Sequence, residues 1–155
     1  MNLDEVKAIA ERHHGEAREK LRSGKPPLAQ WAFFALANGK WEATPNDAAD
    51  RAGQVMGYLK ISTVARSKKA EAIVLLTDVL LTRSDEPNRQ GTLQAIIISP
   101  TGIIEAELTA EYRTKKDKLI FDSNVWNSKP EDERKKHPDI LPWADGAQRP
   151  PLGTT

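Results

Sequence analysis

The chain contains no cysteine. That removes disulfides, thiolate nucleophiles and cysteine-ligated zinc sites from consideration, and it suits a reducing compartment. A charge excess is also missing: 23 basic residues against 22 acidic ones leave a formal net charge of +1. The whole-molecule field that steers many nucleic-acid and acidic-membrane binders is therefore weak. Long apolar runs are absent too. Runs such as Trp31–Ala37, Ile73–Leu76 and Ala95–Ile98 fall far short of the ~20 residues of a membrane span. Met1–Ala10 is acidic and amphipathic and lacks the basic-then-apolar pattern of a signal peptide. The cytoplasm of a bacterial or phage-infected cell is the expected setting, with no membrane partner. No Gly-x-Ser-x-Gly elbow, Gly-x-x-x-x-Gly-Lys loop or Gly-x-Gly-x-x-Gly turn occurs, which argues against several large enzyme classes.

What is present fits one globular unit: 155 residues, 39% hydrophobic and 29% charged, enough apolar content for an ordinary core. Asn2 to Ser23 reads as a helix. Asn2 can cap it, and Leu3, Val6, Ala10, His13, Ala17 and Leu21 form one apolar stripe. Gln30 to Ala37 is an aromatic strand, and Asn38-Gly39 is a hairpin signal that expects positive φ at both positions, returning through Trp41 to about Ala43. A second helix is expected to open near Thr44–Asp47, capped by Thr44 or Asn46. Its stripe is Ala48, Ala52, Val55, Met56, Leu59 and Thr63, and Gly53 and Gly57 suggest a close approach to a neighbour. Four strands follow, at about Ala70–Arg83, Thr92–Ser99, Ile103–Thr114 and Lys118–Val125. Short connections make them an antiparallel meander.

The expected fold is thus α+β: a mainly antiparallel sheet, built from an N-terminal hairpin and a four-strand meander, with two helices on one face. Residues 1–125 form this domain, and 126–155 form a Pro-rich tail holding five of the ten prolines. The third meander strand alternates cleanly, with Ile104, Ala106, Leu108, Ala110 and Tyr112 on one side and Glu105, Glu107, Thr109, Glu111 and Arg113 on the other. The strands before it do not alternate. Ile73, Leu75 and Val79 face one way, Val74, Leu76 and Leu80 the other, so this ribbon demands cover on both sides. The tail, a second copy or a foreign partner could supply it. Trp126, Ile140, Leu141 and Trp143 are the candidate partner-binding anchors.

Candidate chemistry is sparse. His13 and His14 each stand three residues from a glutamate (Glu16 and Glu11), as carboxylate-bridged metal sites require. Those sites need a second such motif, and the only other histidine is His137 in the tail. No metal and no cofactor are expected. Asp78 interrupts an apolar strand, where burial would raise its pKa. Pairing with Arg83 or Arg113 is the plain alternative. Glu105 and Glu107 share a strand face with Glu111 and are weak acid–base candidates beside it. Basic clusters at Arg66, Lys68 and Lys69 and at Lys115 and Lys116 are candidate nucleic-acid contacts, a less favoured reading because no aromatic residues interleave with them. The leading expectation is a non-catalytic protein–protein interaction module, homodimeric or bound to another protein. The alternatives are a small acid–base enzyme using Asp78 with the strand glutamates, or a nucleic-acid binder.

Overall fold

A computed structural model of the chain describes residues 2–24, 30–46, 50–82 and 88–144. It has two helices and a seven-stranded antiparallel sheet, so the class is α+β. Helix α1 spans Leu3–Arg22. Strands β1 (Gln30–Ala35) and β2 (Trp41–Asn46) form the hairpin, and helix α2 covers Arg51–Lys68. Strands β3 (Ala72–Leu80), β4 (Gln90–Ile98), β5 (Ile104–Lys115) and β6 (Lys118–Phe121) make the meander. A short β7 (Val125–Asn127) joins the outer edge of β5 beyond β6. The strand order is β2-β1-β3-β4-β5-β6.

Several local expectations need correction. The hairpin turn puts only Gly39 at positive φ (+78°). Ala37 and Asn38 make an ordinary turn before it, closed by Leu36 N–H to Lys40 O at 2.9 Å, and the Asn38 side chain accepts from Lys40 N. Strand β2 runs on to Asn46, so neither Thr44 nor Asn46 caps α2. Asp50 does, accepting from Gly53 N at 2.7 Å. Asn46 meets α2 from the side: a Cβ on Gly57 would lie 2.0 Å from its Oδ1. That is the close approach the glycine spacing predicted. The fourth meander strand divides into β6 and β7. Ala48 and Arg83 lie outside the described residues.

The larger correction concerns layering. The helices sit on opposite faces of the sheet. Leu3, Val6, Ala10, Ala17 and Leu21 of α1 pack with Phe33, Val74, Leu76, Leu93, Ile97 and Leu108. Tyr58, Ile61 and Ala65 of α2 pack with Phe34, Ile73, Leu75, Ile96 and Ile98, and here Ile140 and Trp143 of the tail complete the core. The two parities of β3 therefore feed two separate cores. The doubly apolar ribbon is covered within one chain, and only its end, at Val79, is exposed (40%). The alternation of β5 holds from Ala106 onward. A bulge opposite Ile97/Ile98 lets Ile104 turn to the α2 core instead.

The three histidines are tied into this packing. His14 is fully buried, and its Nε2 donates to Leu93 O at 3.0 Å, fastening α1 to β4. Its burial, like that of His13 and His137, holds the imidazole below the ordinary histidine range, outweighing the opposing pulls of the Leu93 carbonyl, Glu16 and Asp139. The sign follows directly. Below ~6.5 the unfolded chain takes up protons that the native state refuses, so stability present at pH 7 is lost on acidification. The slope approaches about 1.4 kcal/mol per pH unit for each histidine involved. Glu105, whose pKa is raised, works in the opposite direction, one group against three. Urea midpoints should therefore drop between pH 7 and pH 5, and equal midpoints would refute this assignment.

Candidate interaction surface

Helix α2 carries two stripes, and the one expected to be buried is the one that faces water. The buried residues are Tyr58, Ile61, Ser62 and Ala65. One flank is closed by Asn46 against Gly57. The other is closed by the tail: Asp139 pairs with Arg51 at 3.1 Å, Leu141 N donates to Ser62 Oγ at 3.0 Å, and the Trp143 indole donates to Ala70 O at 2.8 Å. The crest between the flanks holds Ala52, Met56, Leu59 and Thr63, spaced four, three and four residues apart as in a helix-pairing seam. Met56 is 65% exposed, and Val55, Leu59 and Leu141 are also exposed, which leaves a stripe of large apolar side chains along one helix. Scattered apolar residues on a surface need no explanation; a seam of them does.

The predicted anchors divide. Ile140 and Trp143 are buried in the second core of their own chain, and Trp126 packs under α1 with its indole N–H donated to Glu11. Only Leu141 is left exposed, beside the α2 crest. The tail reaches these positions by following the outer edge of β5 and wrapping the Ser99–Gly102 turn. His137 N bonds to Gly102 O, and Trp143 N bonds to Pro100 O.

The acidic candidates do not assemble into one site. Asp78 accepts from the Tyr112 hydroxyl at 2.5 Å, and burial together with this carboxylate pushes the phenol pKa well up. Tyr112 is thus one partner of Asp78, while Arg113 pairs with Asp122 and Arg83 lies outside the described residues. Glu105 and Glu107 do line a common cavity of about 150 Å³, with Asn127, Lys129 and Arg134. Glu105 occupies the bulge, is 1% exposed, and is ion-paired to Arg134 through Oε2. Burial raises its pKa and Arg134 opposes that rise. By register Asp78 lies opposite Leu93, while Glu105 adjoins Ile97 and Ile98. The acids are therefore separated by more than ~10 Å of strand.

The basic clusters also stay apart. Arg66, Lys68 and Lys69 end α2 near the start of β3, with Lys68 paired to Glu42. Lys115 and Lys116 sit at the β5–β6 turn, level with the far end of β3, so no single stripe links the two groups. Lys116 and Asp117 both take positive φ there. Among the described residues no group of three or more His, Asp or Glu could hold a metal, and no helix is long and apolar enough to cross a membrane.

Sequence reasoning missed three features: Arg134 as the partner of Glu105, His14 as a buried tie, and the outward turn of the α2 stripe. Only the last had a signal, the second set of apolar positions at Tyr58, Ile61 and Ala65. Comparisons with protein-family models, with curated proteins and with solved structures find no match.

Proposed function

We propose that this chain is a non-catalytic interaction module that pairs with a second copy of itself through the outer face of α2. The observation that carries the reading is the exposed seam Ala52, Met56, Leu59 and Thr63, with Val55 and Leu141 beside it. An antiparallel pairing of two such helices opposes their dipoles. It also brings the basic end of one, at Arg66 and Lys69, toward Asp50 at the start of the other. One helix face buries little area, so the dimer is weak and reversible, at the low end of the interface range.

The cysteine-free sequence makes a clean test. Met56→Cys introduces the only thiol, close to the pairing axis, where two copies bring Cβ atoms within bridging distance. Mild oxidation should convert it to a covalent dimer, whereas Glu5→Cys, on α1 across the sheet, should stay monomeric under the same conditions. Equal cross-linking of the two variants, or none, would count against pairing through α2.

A further inference from the structure

The tail turns a corner at His137. Up to Lys136 it runs antiparallel to the start of β5, bridged to Ile103, and Ile104 N–H donates to Lys135 O at 2.9 Å. Beyond the corner it lies along α2. Both Asp139 oxygens accept from Arg51 at 3.1 Å, Leu141 N–H donates to Ser62, and Ile140 and Trp143 enter the second core. One ring nitrogen fixes the corner: His137 Nδ1 accepts from Asp139 N–H at 3.1 Å and from Ile140 N–H at 3.0 Å. Pro138, just after the histidine, has a fixed φ and brings no N–H of its own. The His137 backbone N–H is already donated to Gly102 O at 2.8 Å.

Only a neutral ring can make this corner. Two donors converge on Nδ1, so the ring proton sits on Nε2. An imidazolium carries a proton on both nitrogens and accepts nothing. Uptake of one proton therefore turns Nδ1–H against two backbone N–H groups and strips both of their partner. The surroundings do not compensate. Among the described residues the ionisable side chains placed against the ring are Tyr58 and Arg51 of α2 and Asp139 of the tail itself. Asp139 favours the imidazolium, but Arg51 holds both of its oxygens and opposes a second cation beside it. Burial of the ring adds to that opposition.

We propose that His137 is a proton-operated latch: protonating its ring releases residues 138–144 from α2 and uncovers the part of the second core that Ile140 and Trp143 close, while α1 and the sheet stay folded. The latch does not depend on pairing between copies. The docked corner refuses a proton that the released segment accepts near the ordinary value of ~6.5. Docking is therefore complete above that pH and weakens as pH falls below it.

Amide hydrogen exchange of the full chain at pH 7.5 and 5.5, corrected for the intrinsic pH dependence, reads the latch residue by residue. The Leu141 and Trp143 amides, bonded to Ser62 and to Pro100 O, should exchange about tenfold faster at the lower pH. That is the linkage limit for one proton over the unit below ~6.5. The Leu108 amide, in the middle of the sheet, should stay far better protected than either at pH 5.5. His137→Asn supplies a side-chain oxygen that accepts from the same two N–H groups and does not titrate. In that variant the Leu141 and Trp143 amides should exchange alike at the two pH values. A variant that does not fold leaves the decision to the wild-type contrast between Leu141 and Leu108. Tail amides that open only together with Leu108, tail exchange that does not change between the two pH values, or a folded His137→Asn that loses protection as the wild type does would each overturn the proposal.

Discussion

Replacing Trp143 with alanine should lower the unfolding free energy by about 3–5 kcal/mol, the usual cost of deleting a buried aromatic side chain. Trp143 is 3% exposed and shares its core with Ile140, Phe34, Leu75 and Ile98. Its indole N–H is also a donor to Ala70 O, so truncation leaves a cavity and strips a carbonyl of its partner. The effect separates two roles. An anchor reserved for another protein would be nearly neutral in an isolated chain. A keystone of the α2 core would not, and a loss below about 1 kcal/mol in urea unfolding would show that the tail contributes little to the fold.

Arg134→Met should cost a similar amount, about 3–5 kcal/mol at neutral pH, because it leaves the Glu105 carboxylate, with a side chain 0% exposed, without its counter-charge. The pH dependence distinguishes this from lost packing. Glu105 already titrates above the ordinary carboxylate range because it is buried, and removing Arg134 raises it further. A group with a raised native pKa contributes fully below its unfolded pKa and loses that contribution as pH rises through the native one. The deficit of Arg134→Met relative to the wild type should therefore shrink as pH falls from 8 toward 5. The double variant Glu105→Leu/Arg134→Met should recover most of the loss, since a buried pair replaced by apolar groups of similar volume is often neutral. A pH-independent deficit, or a double variant no better than the single, would contradict this view of the clasp.

How much of this was legible in the sequence depended on whether the signal was local. The α1 stripe was readable because each turn puts a small or apolar residue on one side, from Leu3 to Leu21. The two-sided greasiness of β3 was readable for the same reason, and it correctly required cover above and below. What supplies the cover was not. The chain leaves β2, crosses β1 as α2 and returns as β3. Whether that crossing passes above or below the sheet is a property of the path, and no residue reports it. The α2 misreading has a different cause. Apolar side chains occupy two stripes of this helix, and periodicity alone does not choose between them. The stripe that packs is Tyr58, Ile61, Ser62 and Ala65, while Val55, Met56 and Leu59 stay outside. Pairing across long sequence separations, such as Glu105 with Arg134 or His14 with Leu93, leaves no trace in spacing.

Sedimentation equilibrium of the full chain from micromolar to millimolar concentration, beside Leu59→Glu, tests the self-pairing account most directly. Leu59 is exposed on the crest, so the substitution should spare the fold while placing a charge in the seam. The wild type should move from monomer toward dimer as concentration rises, and Leu59→Glu should remain monomeric throughout. A wild type that stays monomeric over the whole range, or a dimer that survives Leu59→Glu unchanged, would contradict it.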